Sequence, residues 1–409
     1  MTRSDGCLVC ASARVEEFLD LGETALANKF LTAEELDRPE SRFPLRVGFC
    51  HQCGHVQLTE FVPPAAMFED YLYISSASET LKGHFDDIAS TLVSRFDLGG
   101  DDLVVDIGCN DASLLTRFRD RGVRTLGVDP AENLADFAKG TGIERYCGFF
   151  GADSAPQIAR RWGQASLITA TNTFPHIPDL DGFVRGLDLA LAPGGRFVVE
   201  AHYLVDILDQ LAFDTVYHEH VSYWALGPMR RLFARHGMQV VRAEHLDIHH
   251  GQLRATVQRI GEGEPDESVA EILALEEERG VPSFETFQEF ARRTRQIKID
   301  LRKCLTDLKA EGRKVAAYGA PAKGSTLLEY MEIGTDLIDF IADRSALKQG
   351  RYTPGSHIPI VEPERLLTDR PDYVLLLAWN FVDEILAQQA AYRQGGGQFI
   401  LPVPEVKIV

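Results

Sequence analysis

Four cysteines stand in two Cys-x-x-Cys pairs, Cys7-Leu8-Val9-Cys10 and Cys50-His51-Gln52-Cys53, with 39 residues between them. Each pair lets two thiolates reach one ion across a tight turn, and two pairs complete a tetrahedral Zn²⁺ site. Four protein ligands close the coordination sphere, so the expected role is structural. His51 or His55 offers an alternative ligand, but the four-thiolate set is simpler. The segment around the pairs holds few apolar residues, so metal binding is expected to supply much of its folding free energy. Cys109, Cys147 and Cys304 are isolated and carry no assigned chemistry. This usage is metal spacing in a reducing compartment, not a disulfide framework.

A second group of residues has the form of a ligand-binding turn. Val104-Val105-Asp106-Ile107-Gly108-Cys109-Asn110-Asp111 reads as a strand, a tight turn and the start of a helix. Gly108 permits a ligand to approach the backbone, and the helix start offers unpaired N–H groups. Asp129, closing the next apolar run, supplies a carboxylate that can accept both hydroxyls of a ribose. A dinucleotide fingerprint would place glycines where this chain has Asn110 and Ser113, so no pyrophosphate cradle forms and NAD is disfavoured. An adenosyl ligand without phosphates fits better.

Tyr217-His218-Glu219-His220 is the densest run of acid–base groups. It reads as a catalytic segment, a polar loop or a metal site. The histidines are two apart, so the helical His-x-x-x-His arrangement of zinc proteases is not met. On a strand Tyr217 would share a face with Glu219 and His218 with His220, whereas a turn would bring Tyr217 and His220 together. Nearer the C-terminus, Lys314 to Thr326 reads as strand, loop and helix. Its lysine precedes the glycine, so it is not a Walker A loop. A glycine-containing turn at a helix start with Lys323 and the Ser325 hydroxyl is nonetheless a candidate phosphate site. Trp379 and Asn380 end the run Tyr373–Ala378, where open α/β sheets hold ligands, and Arg254 is a further candidate for a phosphate.

These groups need a scaffold. Leu103–Ile107, Arg124–Val128, Ser166–Thr171 and Gly195–Glu200 are short apolar runs of the kind buried on both faces of a parallel sheet, with helical periodicity between them. MQVVRAEHL and QLRATVQRI are expected to close the sheet as an antiparallel pair. After the linker GEGEPDES come two charged helical stretches and a second strand–helix alternation. The expected parts are a zinc-binding module (1–66), a Rossmann-like core (67–262) and a C-terminal Rossmann-like α/β domain (263–409). With 409 residues, 45% hydrophobic and 25% charged, the chain is globular. Its net charge of −19 repels polyanions and argues against nucleic acid as a partner. No stretch approaches the ~20 apolar residues of a membrane span, and Met1–Cys10 has no signal-like apolar run, so the expected location is the cytoplasm.

DIGCND, GVDP, ITATNTF and LAPGGRFVVE follow one another in the order of a class I S-adenosylmethionine-dependent methyltransferase core. With the cysteine pairs, FEDYLYISSAS, DIGCNDASLL, NTFPHIPDL, FDTVYHEHVSYW, HHGQLR and AYGAPAKGSTLL, essentially the whole chain resembles the sugar C-3 methyltransferases. These act on nucleotide-linked 4-keto-deoxysugars in antibiotic biosynthesis. One departure is Ala112, where that family often has glycine. The resemblance implies S-adenosylmethionine as cofactor beside structural Zn²⁺, a dTDP-linked keto-sugar as substrate, and a monomer. It implies that Tyr71, His176, Tyr217, Glu219 and His220 line the active site, and that Asp106, Gly108, Asn110, Asp129, Pro130, Phe150 and Asn172 hold the cofactor. The nucleotide would lie on the C-terminal domain, with Arg254, Lys323, Ser325, Trp379 and Asn380 as its candidate contacts.

Methylating carbon beside a ketone requires a base, a donor to the enolate oxygen and in-line placement of the methyl group. A positioned base typically contributes ~10²–10⁴-fold, and one oxyanion donor roughly 3–4 kcal/mol. His220 is the expected base, since imidazole titrates near neutrality, with Tyr217 or His176 bonding the keto oxygen and Glu219 orienting a sugar or histidine group. The competing expectations are an O- or N-methyltransferase of another small metabolite, which needs no carbanion, and a non-enzymatic zinc-ribbon adaptor.

Overall fold

The computed structural model describes residues 2–68, 79–134, 140–248 and 251–409; Tyr71, His249 and His250 lie outside them. All five residues of Leu103–Ile107 are buried, as a bare apolar run demands, and this strand lies inside a seven-stranded sheet. Arg124–Asp129 and Glu144–Cys147 follow on one side. On the other side come Ala165–Thr171, Leu191–His202, Gln252–Arg259 and Met238–Leu246. Gln252–Arg259 is antiparallel to both of its neighbours, and the remaining strands run parallel. The strand order reverses at Leu103–Ile107, which opens a crevice at the carboxyl ends of the strands. That order, with one reversed strand, is the class I methyltransferase fold.

The strand expected at Gly195–Glu200 extends from Leu191 to His202, with a register shift between Leu191 and Arg196. Pro193, Gly194 and Gly195 occupy the shift, which they pass without ending the strand.

The N-terminal part forms an antiparallel sheet of Val15–Thr24, Phe43–Cys50 and Val56–Leu58. Its fourth strand, Ser222–Tyr223, is lent by the methyltransferase part and pairs with Gln57 and Val56. Phe49, Leu45 and Val47 join a core cluster that continues into the methyltransferase and C-terminal parts.

Helix Phe284–Ala310 buries Phe287, Phe290, Ala291, Thr294, Ile297, Leu301, Leu305 and Leu308, a single stripe at spacings of three and four. It leads into a six-stranded sheet ordered Ile360–Val361, Ile341–Ala342, Val315–Tyr318, Tyr373–Leu376, Gln398–Leu401 and Lys407–Ile408. Only the last of these is antiparallel to its neighbour. Among the described residues no helix is long and apolar enough to cross a membrane.

Candidate active site

At the carboxyl end of Leu103–Ile107 the chain turns through Gly108 at φ 73°. A Cβ there would lie 2.1 Å from the Thr173 hydroxyl oxygen, so only glycine fits. Asn110 and Ala112 also have positive φ, 52° and 63°. An alanine in that region costs about 1–2 kcal/mol, a strain that glycine at position 112 would avoid. The Asp129 carboxylate accepts the backbone N–H of Asn110 and of Ala131, each at 2.8 Å, and pairs with Arg145 at 3.0 Å. Gly108, Asn110, Asp129, Pro130, Phe150 and Asn172 all line one cleft of about 1320 Å³. Asn172 Oδ1 is buried with no hydrogen-bond partner among the described residues. That is an acceptor left for a ligand. Asp106 does not reach the cleft. It is buried beneath the turn, accepts the Thr169 hydroxyl at 2.6 Å, and burial pushes its carboxyl up to about 7. That bond ties Leu103–Ile107 to the neighbouring strand Ala165–Thr171.

Further along the cleft the 217–220 segment is a turn, closed by the His220 N–H on the Tyr217 carbonyl at 2.9 Å. Turn geometry decides what the alternation of a strand left open. The Tyr217 hydroxyl lies 2.8 Å from His220 Nε2, and His220 Nδ1 lies 2.9 Å from the Thr215 carbonyl. A carbonyl only accepts, so Nδ1 carries the hydrogen and Nε2 accepts from Tyr217. By the same logic His176 Nδ1 donates to the Glu219 carbonyl at 2.6 Å, leaving Nε2 as a lone pair. In that tautomer a neutral His176 presents an acceptor at Nε2. Burial pushes His176 down to about 4 and His220 well below the ordinary range, with His176 and His202 adding to the depression of His220. The Glu219 side chain faces Asn28, whose Nδ2 donates to Oε1 at 2.7 Å.

Where the cleft meets the C-terminal sheet, Lys323 Nζ sits 4.1 Å above the ring of Trp379. Trp379 Nε1 donates to Asp214 Oδ2 at 2.7 Å. Burial lowers Lys323 to about 8, against the attraction of Asp214. Lys323, Trp379 and Asn380 line the cleft; Ser325 is buried inside helix Ala322–Tyr330 and does not. Arg254 is also removed from it. The residue lies within a sheet strand, and its Nε pairs with Glu200 Oε1 at 2.5 Å. His84 takes the other Glu200 oxygen at 2.7 Å. A guanidinium spent on a buried carboxylate is not available to a phosphate.

At the other end of the molecule the sulfur atoms of Cys7, Cys10, Cys50 and Cys53 lie within 4.8 Å of one another. Cys7 and Cys53 are 3.4 Å apart, Cys10 and Cys50 3.6 Å. Tetrahedral Zn–S bonds of ≈ 2.3 Å imply sulfur separations of roughly 3.8 Å. The hydrogen bond from Cys53 brings Cys7 down to about 6, while burial pushes Cys50 up to about 11. Only a cation lets all four ionise together.

Family models match three stretches: a zinc binding domain over residues 7–68, a methyltransferase domain over 82–243 and a C-methyltransferase C-terminal domain over 247–404. C-methyltransferase NovU of Streptomyces niveus is 38% identical over 406 residues, which span 99% of this chain and 97% of that one. The chain belongs to the C-methyltransferase family. Solved structures overlap part of it. Magnesium protoporphyrin IX methyltransferase from Synechocystis PCC 6803 with bound SAH shares 15% identity at a TM-score of 0.35 over 44% of this chain and 84% of that one. An S-adenosylmethionine-dependent methyltransferase from Clostridium acetobutylicum ATCC 824 shares 13% at 0.36 over 46% and 94%.

In this C-methyltransferase the cofactor is S-adenosylmethionine, and the four-cysteine cluster is its zinc site. Among the wall residues that escaped sequence reasoning are His202, Arg344 and Lys348. His202 ends the strand Leu191–His202, its ring 5.5 Å from that of His220. Its signal was its place at the carboxyl end of an apolar run. Arg344 and Lys348 line the C-terminal side of the cleft. Lys348 Nζ donates to the Ala320 carbonyl at 2.7 Å, and neither residue belongs to a recognisable motif.

Proposed function

We propose that this C-methyltransferase methylates C-3 of a nucleotide-linked 4-keto-deoxysugar, with the sugar over the 217–220 turn and the nucleotide toward Lys323, Trp379 and Asn380. The observation that carries this reading is the continuity of the cleft. It runs from the Gly108 turn past Tyr217, His220 and His176 to Lys323 and Arg344 of the C-terminal part. A bipartite substrate suits such a shape, apolar in most of its wall with a few convergent polar groups.

S-adenosylmethionine supplies the electrophilic methyl group. The chain's residues then create and hold the nucleophile. Tyr217 Oη removes the C-3 proton as its own hydroxyl proton passes to His220 Nε2. Burial keeps the imidazoles neutral beforehand, in the proton-accepting form. The imidazolium formed at His220 lies beside the enolate it helped to create, in a site where charge interactions are strong. Asp129 and Asn172 serve the cofactor's hydroxyl and amino groups. Lys323, Arg344 and Lys348 offset the phosphates. The division into parts 1–66, 67–262 and 263–409 then assigns the zinc, the chemistry and the nucleotide in turn.

The test is solvent exchange. In D₂O the chain should exchange the C-3 hydrogen of a dTDP-linked 4-keto-deoxysugar, read by mass, in the presence of S-adenosylhomocysteine. Absence of exchange alongside methylation of an oxygen or nitrogen would favour the O- or N-methyltransferase reading.

A further inference from the structure

We propose that Asn28, carried by the zinc-binding part, is a positioning residue for the catalytic turn. The inference rests on the reading that residues 217–220 perform the proton transfer, and it adds what holds them.

The loop from Ala25 to Leu31 leaves strand Val15–Thr24 and is tied to the C-terminal part at both ends. The Ala25 N–H donates to the Glu329 carboxylate at 3.1 Å, and Leu31 exchanges two 2.9 Å backbone bonds with Tyr352. Between these anchors Asn28 enters the cleft wall and gives its amide to Glu219 Oε1 at 2.7 Å. One residue away, His218 Nε2 donates to the Phe43 carbonyl at 3.2 Å, on the neighbouring strand of the zinc-binding sheet. The turn then runs directly into Ser222–Tyr223, the strand that completes that sheet.

The four turn residues therefore divide their work. Tyr217 and His220 bond each other at the cleft, while His218 and Glu219 fasten the turn to the zinc-binding part. Moving Glu219 also moves His176, because the Glu219 carbonyl holds His176 Nδ1 at 2.6 Å. Asn28 thus fixes, through the Glu219 side chain, the stretch of backbone that holds His176 and continues into His220. A bond from an amide to a buried carboxylate is the kind whose loss is felt, since the acceptor keeps its charge and loses one of its donors.

Two substitutions of Asn28 and one double variant with Glu219 test this. Asn28→Ala should lower kcat about tenfold with KM for S-adenosylmethionine, zinc content and melting temperature unchanged. Asn28→Asp sets two carboxylates face to face and should lower kcat about 100-fold. Adding Glu219→Gln to Asn28→Asp lets the new amide donate to the new carboxylate, and kcat should return to that of Glu219→Gln alone. A readout free of any substrate accompanies them. Hydrogen exchange of the His220 amide, which closes the turn, should quicken several-fold in Asn28→Ala while Leu103–Ile107 stays protected. If the wild-type chain turns over no keto-sugar nucleotide, the substrate reading fails and the exchange result alone judges Asn28. A double variant as slow as Asn28→Asp, an unchanged His220 exchange rate, or loss of zinc or of melting temperature in Asn28→Ala would overturn the proposal.

Discussion

On the proposed mechanism Tyr217 and His220 act as one unit, because the hydroxyl that faces the cleft spends its hydrogen on the imidazole behind it. Tyr217→Phe keeps the ring and removes that link; kcat should fall by roughly 10²–10⁴, with S-adenosylmethionine affinity within twofold by calorimetry. Retained turnover would take the pair out of the chemistry. The pH profile gives a second check with a definite sign. His176 is depressed to about 4 and His220 lies well below its ordinary value, so both stay neutral far into the acid range. Their proton-accepting forms are present above those values and lost only as pH falls through them. The kcat/KM profile should therefore show no acid limb at about 6.5 and fall only at lower pH, where His220 takes up a proton. A limb centred near 6.5, the value of an imidazole in water, would contradict the buried, neutral cluster.

At the scale of elements, the zinc-binding sheet carries more than its metal. It takes Ser222–Tyr223 as its fourth strand, so unravelling it also frees the end of the 217–220 turn. Cys50→Ser should give a chain that loses zinc and is cut by protease within 7–68, with kcat lost in parallel; a metal-free variant that stays resistant and active would refute the structural role. The cysteine spacing was plain in the sequence because two thiolates three residues apart have little else to do together. The strands Leu103–Ile107 and Arg124–Asp129 were equally plain, since burial on both faces admits only apolar residues. Other features were not. Arg254 reads as a cation available to a phosphate until the strand Gln252–Arg259 places it against Glu200. The choice between strand and turn at 217–220 is tertiary, made by Thr215, Phe43 and Asn28 from three separate elements. Asn28 is a single asparagine in a loop and has no periodicity to give it away.

At the scale of the molecule, three parts close around one cleft, and one buried carboxyl between them titrates near neutrality. Glu329 of the C-terminal part accepts from Ala25 and pairs with Arg42 at 3.0 Å, and burial raises it from 4.5 to about 7. Through that window the folded chain keeps a proton that the unfolded chain has released, so this group's contribution to stability falls as pH rises. Glu329→Gln holds no such proton and should lose less melting temperature than the wild type between pH 5 and pH 8. Parallel curves would show that Glu329 is solvated after all.

The assembled cleft exists, on this account, to bring a sulfonium methyl group and a transient carbanion together. The direct measurement is to supply S-adenosylmethionine with a ¹³C-labelled methyl and a dTDP-linked 4-keto-deoxysugar, then locate the label by NMR. A new methyl carbon bonded to C-3 is the predicted result; label on a sugar oxygen, or none transferred while the cofactor is bound, would contradict it.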